Sequence, residues 1–87
     1  MRILKFALPT DKVTISVQMP YIFEVLKFDL QNGQPTMWCI SDEKNQVYYK
    51  VEALYTGDEI PIHSLLDHTG TIKIKENFIL HYHITEV

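Results

Sequence analysis

The chain has one cysteine, one arginine and only three glycines in its 87 residues, and each scarcity excludes a class of protein. Cys39 alone cannot close an internal disulfide, so the fold must hold without covalent cross-links. Gly33, Gly57 and Gly70 are scattered, which leaves no glycine-rich loop to cradle a phosphate. None of Ser16, Ser41 and Ser64 sits in a Gly-x-Ser-x-Gly elbow. With Arg2 the sole arginine and a net charge of −3, a broad surface for duplex nucleic acid is disfavoured. No apolar run approaches the roughly 20 residues of a spanning helix, so no membrane insertion is expected. The start lacks the basic, apolar and small-residue order of a signal peptide, which points to a cytoplasmic protein. No linker, repeat or low-complexity segment divides residues 1–87, so a single β domain is expected.

What is present is alternation. Val13, Ile15, Val17 and Met19 alternate with Thr14, Ser16 and Gln18, a period of two that places four apolar side chains on one face. After Pro20, Ile22, Leu26, Phe28 and Leu30 share a face with Glu24, against Phe23, Val25, Lys27 and Asp29. That run also fits a helical spacing through Ile22, Val25, Leu26 and Asp29, but its β-branched and aromatic content favours a strand. Asn32-Gly33 stands between this run and Thr36 to Ser41, a strong hairpin signal because both residues accept positive φ at low cost. Asp42-Glu43-Lys44-Asn45 reads as a polar turn.

From Gln46 to Tyr55, Val47, Tyr49, Val51, Ala53 and Tyr55 share one face and Tyr48, Lys50, Glu52 and Leu54 the other. Ile60-Pro61-Ile62-His63 reads as extended. Ser64 to His68 reads as a short helical turn capped by Ser64. Thr71 to Lys75 forms a short strand whose Lys73 and Lys75 blunt a sheet edge. In the last run Phe78, Leu80, Tyr82 and Ile84 oppose Ile79, His81, His83 and Thr85. With a first strand at Arg2 to Phe6, this amounts to about seven strands, the pattern of an all-β fold, a small antiparallel sandwich or partly open barrel.

Candidate chemistry is sparse. His81 and His83 project from the same side of a strand about 7 Å apart, near enough to share a metal, but a third ligand would have to come from Asp67, His68 or His63. Two histidines on a partly exposed face is the expected reading, with no metal and no cofactor. Cys39, inside a strand beside Trp38 and Ile40, reads as a small buried hydrophobe with a raised thiol pKa. Tyr48 faces away from the Val47, Tyr49, Val51 set and shares its face with Lys50, an aromatic and a cation suited to a small phosphorylated ligand. Trp38 offers a second flat surface. Thr56-Gly57-Asp58-Glu59-Ile60-Pro61 is either a binding loop or a tight turn followed by an edge stop. No residue set reaches a catalytic motif, so a non-enzymatic protein is expected.

One succession runs along almost the whole chain: Lys5-Phe6-x-Leu8-Pro9, then Gln31-Asn32-Gly33-x-Pro35-x-x-Trp38, then Thr56-Gly57-x-x-Ile60-Pro61-Ile62, then Gly70-Thr71 and Phe78-x-x-His81. It resembles a family of small, uncharacterised tailed-bacteriophage proteins known as a domain of unknown function. The resemblance implies a phage origin and an all-β fold, places Thr56, Gly57 and His81 on shared positions, and gives no activity. The leading expectation is a binding protein in the cytoplasm of the infected bacterial host. It would counter host defence by sequestering a host protein or a small signalling molecule such as a cyclic nucleotide, with a homo-oligomer expected. The alternative is a virion accessory protein that assembles through its sheet edges.

Overall fold

A computed structural model describes residues 1–60 and 68–87. The described chain is all-β: β1 (Arg2–Ala7), β2 (Val13–Gln31), β3 (Gln34–Tyr55), β4 (His68–Lys75) and β5 (Phe78–Glu86) form one curled antiparallel half-barrel sheet. Among these residues there is no helix, hence none long and apolar enough to cross a membrane. His68, expected to close a helical turn, opens β4 instead. The rest of that turn and the extended stretch 61–63 lie outside the described residues.

The expected runs are carried on five strands because two strands are long. β2 has 19 residues and β3 has 22, and they pair along nearly their full length. Their hairpin closes at Asn32 and Gly33, with φ of 51° and 81°, the backbone that the Asn-Gly pair adopts cheaply. Pro20 pairs with Gln46 and Tyr21 with Asp42, so Glu43, Lys44 and Asn45 bulge out of the ladder without ending it. The expected polar turn is thus an excursion within one strand. Lys44 N–H donates to the Asp42 carboxylate at 3.1 Å, and the Gln46 amide donates to the Glu43 carbonyl at 3.0 Å.

Two further register shifts correct the face assignment in the middle of β2. Between Ile22 and Glu24, and between Val25 and Lys27, β2 advances two residues while β3 advances one. Each bulge inverts the alternation. Ile22, Val25, Phe28 and Leu30 therefore pack on the core, whereas Phe23 and Leu26 are 53% and 45% exposed. The inward residues Ile22, Val25 and Phe28 thus stand three apart, a spacing that a helix would also give.

β3 carries β2 on one side and, on the other, β1 along its first half and β5 along its second, with β4 beyond β5. The bend near Asp42 folds the first half of the sheet over the second. Met37 and Cys39 from the first half meet Tyr49, Val51, Ala53, Ile72, Leu80, Tyr82 and Ile84 from the second, all buried. Burial pushes the Cys39 thiol pKa up. Two phenols tie the layers: Tyr49 Oη accepts from the Ile22 N–H at 2.8 Å, and Tyr82 Oη donates to the Pro9 carbonyl at 2.6 Å. Burial raises the Tyr82 pKa to about 12. The Phe28 ring stacks on Tyr82 with centroids 6.3 Å apart, and it lies where a Cβ on Gly70 would stand. Gly70 lets β2 seat against β4, which closes that side of the curl.

Candidate functional site

The outward face of the second half of the sheet gathers most of the chemistry. Antiparallel register sets Lys50 opposite Thr85, Glu52 opposite His83, and Leu54 opposite His81. It sets Thr69 opposite His83 and Thr71 opposite His81. Because opposed residues share a face, these side chains form a compact polar block. The two histidines do lie on one face, but they differ in environment.

His81 is held at both ring nitrogens. Nε2 lies 2.7 Å from Thr56 Oγ1, and Nδ1 lies 3.0 Å from Thr71 Oγ1. Whichever tautomer it adopts, one threonine hydroxyl donates and the other accepts, so neither nitrogen is available to a metal. His83 is only 6% exposed, so the expected partly exposed pair is one half-buried and one buried ring. Among the described residues no group of three or more His, Cys, Asp and Glu side chains is placed to hold a metal.

Thr56, Gly57, Asp58 and His81 meet in a hollow of about 220 Å³ that Leu54, Tyr55 and Ile60 complete. The local chain is a tight turn: Asp58 N–H donates to the Tyr55 carbonyl at 3.1 Å, and Gly57 has φ 98°. Asp58 is committed to this turn. Its carboxylate accepts from the Tyr55 N–H at 2.8 Å and pairs with Lys12 Nζ at 3.1 Å. The Tyr55 hydroxyl donates to Asp11, and Lys12 Nζ stands 5.5 Å from the Tyr55 ring centroid. Asp11, Lys12, Tyr55 and Asp58 form a latch that fixes the β1–β2 connection to the end of β3. This latch also draws Tyr55 out of the apolar set in which its alternation placed it, leaving it exposed. A larger hollow of about 400 Å³, lined by Tyr55, Thr56, Glu76, Asn77, Phe78 and Ile79, adjoins it but holds no unpartnered buried group.

The latch has a defined acid response. The Tyr55 hydroxyl holds the Asp11 pKa below its ordinary value, and the Tyr55 N–H does the same for Asp58, with Lys12 assisting both. A carboxylate with a depressed folded-state pKa stabilises the fold above its unfolded pKa, near 3.9, and loses that contribution as pH falls through the folded value. Thermal melts should therefore show Asp58→Asn less stable than the native chain at pH 6, with the gap closing below about pH 4. A gap that persists unchanged at pH 3 contradicts the latch.

Tyr48 lies beside the polar block, two residues from Lys50. Tyr48 is 58% exposed and its carbonyl accepts the Val87 N–H at 2.9 Å. Lys50, Thr85, Glu86 and Val87 line a hollow of about 230 Å³. Next to it, Glu52 Oε1, His83 Nδ1 and Thr85 Oγ1 are buried and have no hydrogen-bond partner. Glu52 is 8% exposed, and its nearest cation, Lys50 Nζ, is 3.3 Å away without hydrogen-bond alignment. Leaving His83 Nδ1 and Thr85 Oγ1 unpaired costs on the order of 1–3 kcal/mol each, whereas Glu52 keeps its ion pair with Lys50. Two such atoms beside a buried ion pair on one face mark a place where another molecule can supply partners.

Trp38 is not part of this assembly. It lies outward on the first half of the sheet, with Lys5 and Lys27 at its paired positions. Lys5 Nζ donates to Gln31 Oε1 at 2.7 Å, and Lys27 pairs with Asp29 at 3.1 Å. The site residues that sequence reasoning missed are Glu52 and Thr85, while His83 was weighed there only as a metal ligand beside His81. Their signal was Leu54, an apolar residue two places from Glu52 on a face otherwise read as polar.

A family model matches residues 1–87, the whole chain. The chain belongs to the DUF7352 family, a domain of unknown function. No curated protein and no solved structure matches it.

Proposed function

We propose that this DUF7352 chain is a non-enzymatic binding protein that takes up a small phosphate-bearing molecule on the outward face of β3 and β5. The observation that carries the reading is a cluster of buried polar groups beside Lys50: His83 Nδ1 and Thr85 Oγ1 without hydrogen-bond partners, and the Glu52 carboxylate ion-paired to Lys50. A nucleotide suits that chemistry. Lys50 meets the phosphate as a cation. Tyr48 gives an exposed ring on which a base stacks. The Glu52 carboxylate accepts N–H groups from the base edge, while His83 and Thr85 donate or accept beside it. The succession of short motifs adds the biological setting of a tailed-phage protein that sequesters a host signalling molecule, such as a cyclic nucleotide, in the cytoplasm of the infected cell.

The test is infection of bacterial hosts that carry nucleotide-signalling defences, by phage with the gene intact, deleted or replaced by Lys50→Ala. Deletion and Lys50→Ala should both reduce phage growth on such hosts alone. Unchanged growth on every defence-bearing host, together with no ligand bound from lysate, overturns the reading. The runner-up, a virion accessory protein that assembles through sheet edges, is favoured by the uncharged first part of β2, Val13 to Met19. Absence of the chain from purified particles removes it.

A further inference from the structure

The sheet has outer edges on β1, on β4 and along β2, and they are protected unequally. β1 carries exposed Arg2 and Lys5. β4 carries exposed Lys73 and Lys75. The second half of β2 has two bulges together with Glu24, Lys27 and Asp29. Charges and bulges are the usual means of stopping an edge from pairing with another chain. The first part of β2, Val13 to Met19, has none of them: its seven residues are Val, Thr, Ile, Ser, Val, Gln and Met. Among the described residues it pairs with β3 alone. Val13 and Ile15, which belong to the inward apolar row, are each 37% exposed there. Both the ladder and the apolar layer stop short at this edge.

We infer that Val13 to Met19 pairs with the same segment of a second copy, antiparallel about a two-fold axis, to give one continuous sheet through both chains. The segment is self-complementary in that arrangement. With Ser16 opposite Ser16, Ile15 meets Val17, Val13 meets Met19 and Thr14 meets Gln18, so apolar positions face apolar ones and polar face polar. An isologous contact requires this self-matching. The absence of charge means that no like charges oppose each other across the axis. Lys12 bounds the segment at one end through its pairing with Asp58. Pro20, which has no N–H to donate, bounds it at the other. Seven residues give roughly 24 Å of shared edge. That places the contact among small interfaces, and the expected dimer dissociates at about micromolar concentration.

Sedimentation equilibrium from about 1 to 200 µM, combined with backbone hydrogen exchange at both extremes, tests the proposal. The expected result is a monomer–dimer equilibrium in which amides of Val13 to Met19 gain protection with concentration while those of β1 and β4 do not. Ser16→Lys sets two lysines face to face and should weaken the dimer about tenfold or more, with only a small loss of monomer melting temperature from the new lysine standing opposite Lys50 on β3. A monomer at all concentrations overturns the inference, and a monomer whose β2 amides are protected only on adding another protein assigns the edge to a foreign strand. A dimer that protects another edge or face, or that Ser16→Lys leaves intact, also overturns it. If Ser16→Lys fails to fold, Thr14→Lys with Gln18→Lys gives the same readout from the flanking pair.

Discussion

Replacing Gly70 by valine should destabilise the protein by about 3 kcal/mol, the upper part of the range for overpacking a filled core. Any Cβ at position 70 would fall within the ring of Phe28, whose atoms are not at the flexible end of a long side chain. The ring would have to leave its stacked position on Tyr82. It would then release the contact through which β2 reaches across to β4. Ordinary strand preference runs the other way, since valine favours a strand over glycine by up to about 1 kcal/mol. A loss therefore reports the collision itself. In a Phe28→Ala background, itself costing about 3 kcal/mol, Gly70→Val should be neutral or stabilising. Urea denaturation of the four proteins gives the coupling, expected at about 3 kcal/mol or slightly more. Strict additivity means the two residues do not meet.

Thr85→Val should act in the opposite sense, raising stability by about 1 kcal/mol while weakening binding. The substitution keeps the side-chain shape and removes a buried hydroxyl that has no partner. An apolar residue fits that position, beside the stem of Lys50 and near buried Glu52 and His83. Ligand affinity should fall tenfold or more, since the bound molecule would lose one of its hydrogen bonds. A site held ready for a ligand at the expense of stability produces this pairing of effects. Denaturation midpoints of the ligand-free proteins check the first half, and a fall in stability of 1 kcal/mol or more would show that Thr85 has a structural partner.

The strands that alternate cleanly were legible from the residues. Tyr49, Val51 and Ala53 in β3, and Leu80, Tyr82 and Ile84 in β5, point inward as the period of two requires. The Asn32-Gly33 turn was equally plain, because its conformation depends on residue type alone. The bulges at Phe23 and Leu26 were not, since an added residue shifts the phase without any diagnostic side chain. The need for glycine at position 70 was equally hidden. Its reason is Phe28, 42 positions away in the chain but a close neighbour once the sheet curls.

The candidate site divides in the same manner. Tyr48 with Lys50 follows from spacing within one strand. The meeting of Thr56 with His81, and the burial of Glu52 against His83, depend on how β5 registers on β3. Asp58 was singled out for binding, but its carboxylate is taken by the Tyr55 N–H and Lys12. Trp38, the most conspicuous side chain in the sequence, ended on the other half of the sheet because the bend near Asp42 separates the two halves of β3.

A small molecule received by the Glu52, His83, Thr85 and Lys50 block should survive gentle purification with the protein. Native mass spectrometry of the protein purified gently from its producing bacterium, native chain and Thr85→Val side by side, tests it most directly. A small mass carried by the native chain, fragmenting as a phosphate-bearing compound and missing from Thr85→Val, is the predicted result. A native chain that arrives bare, or a mass that Thr85→Val retains in full, contradicts the account.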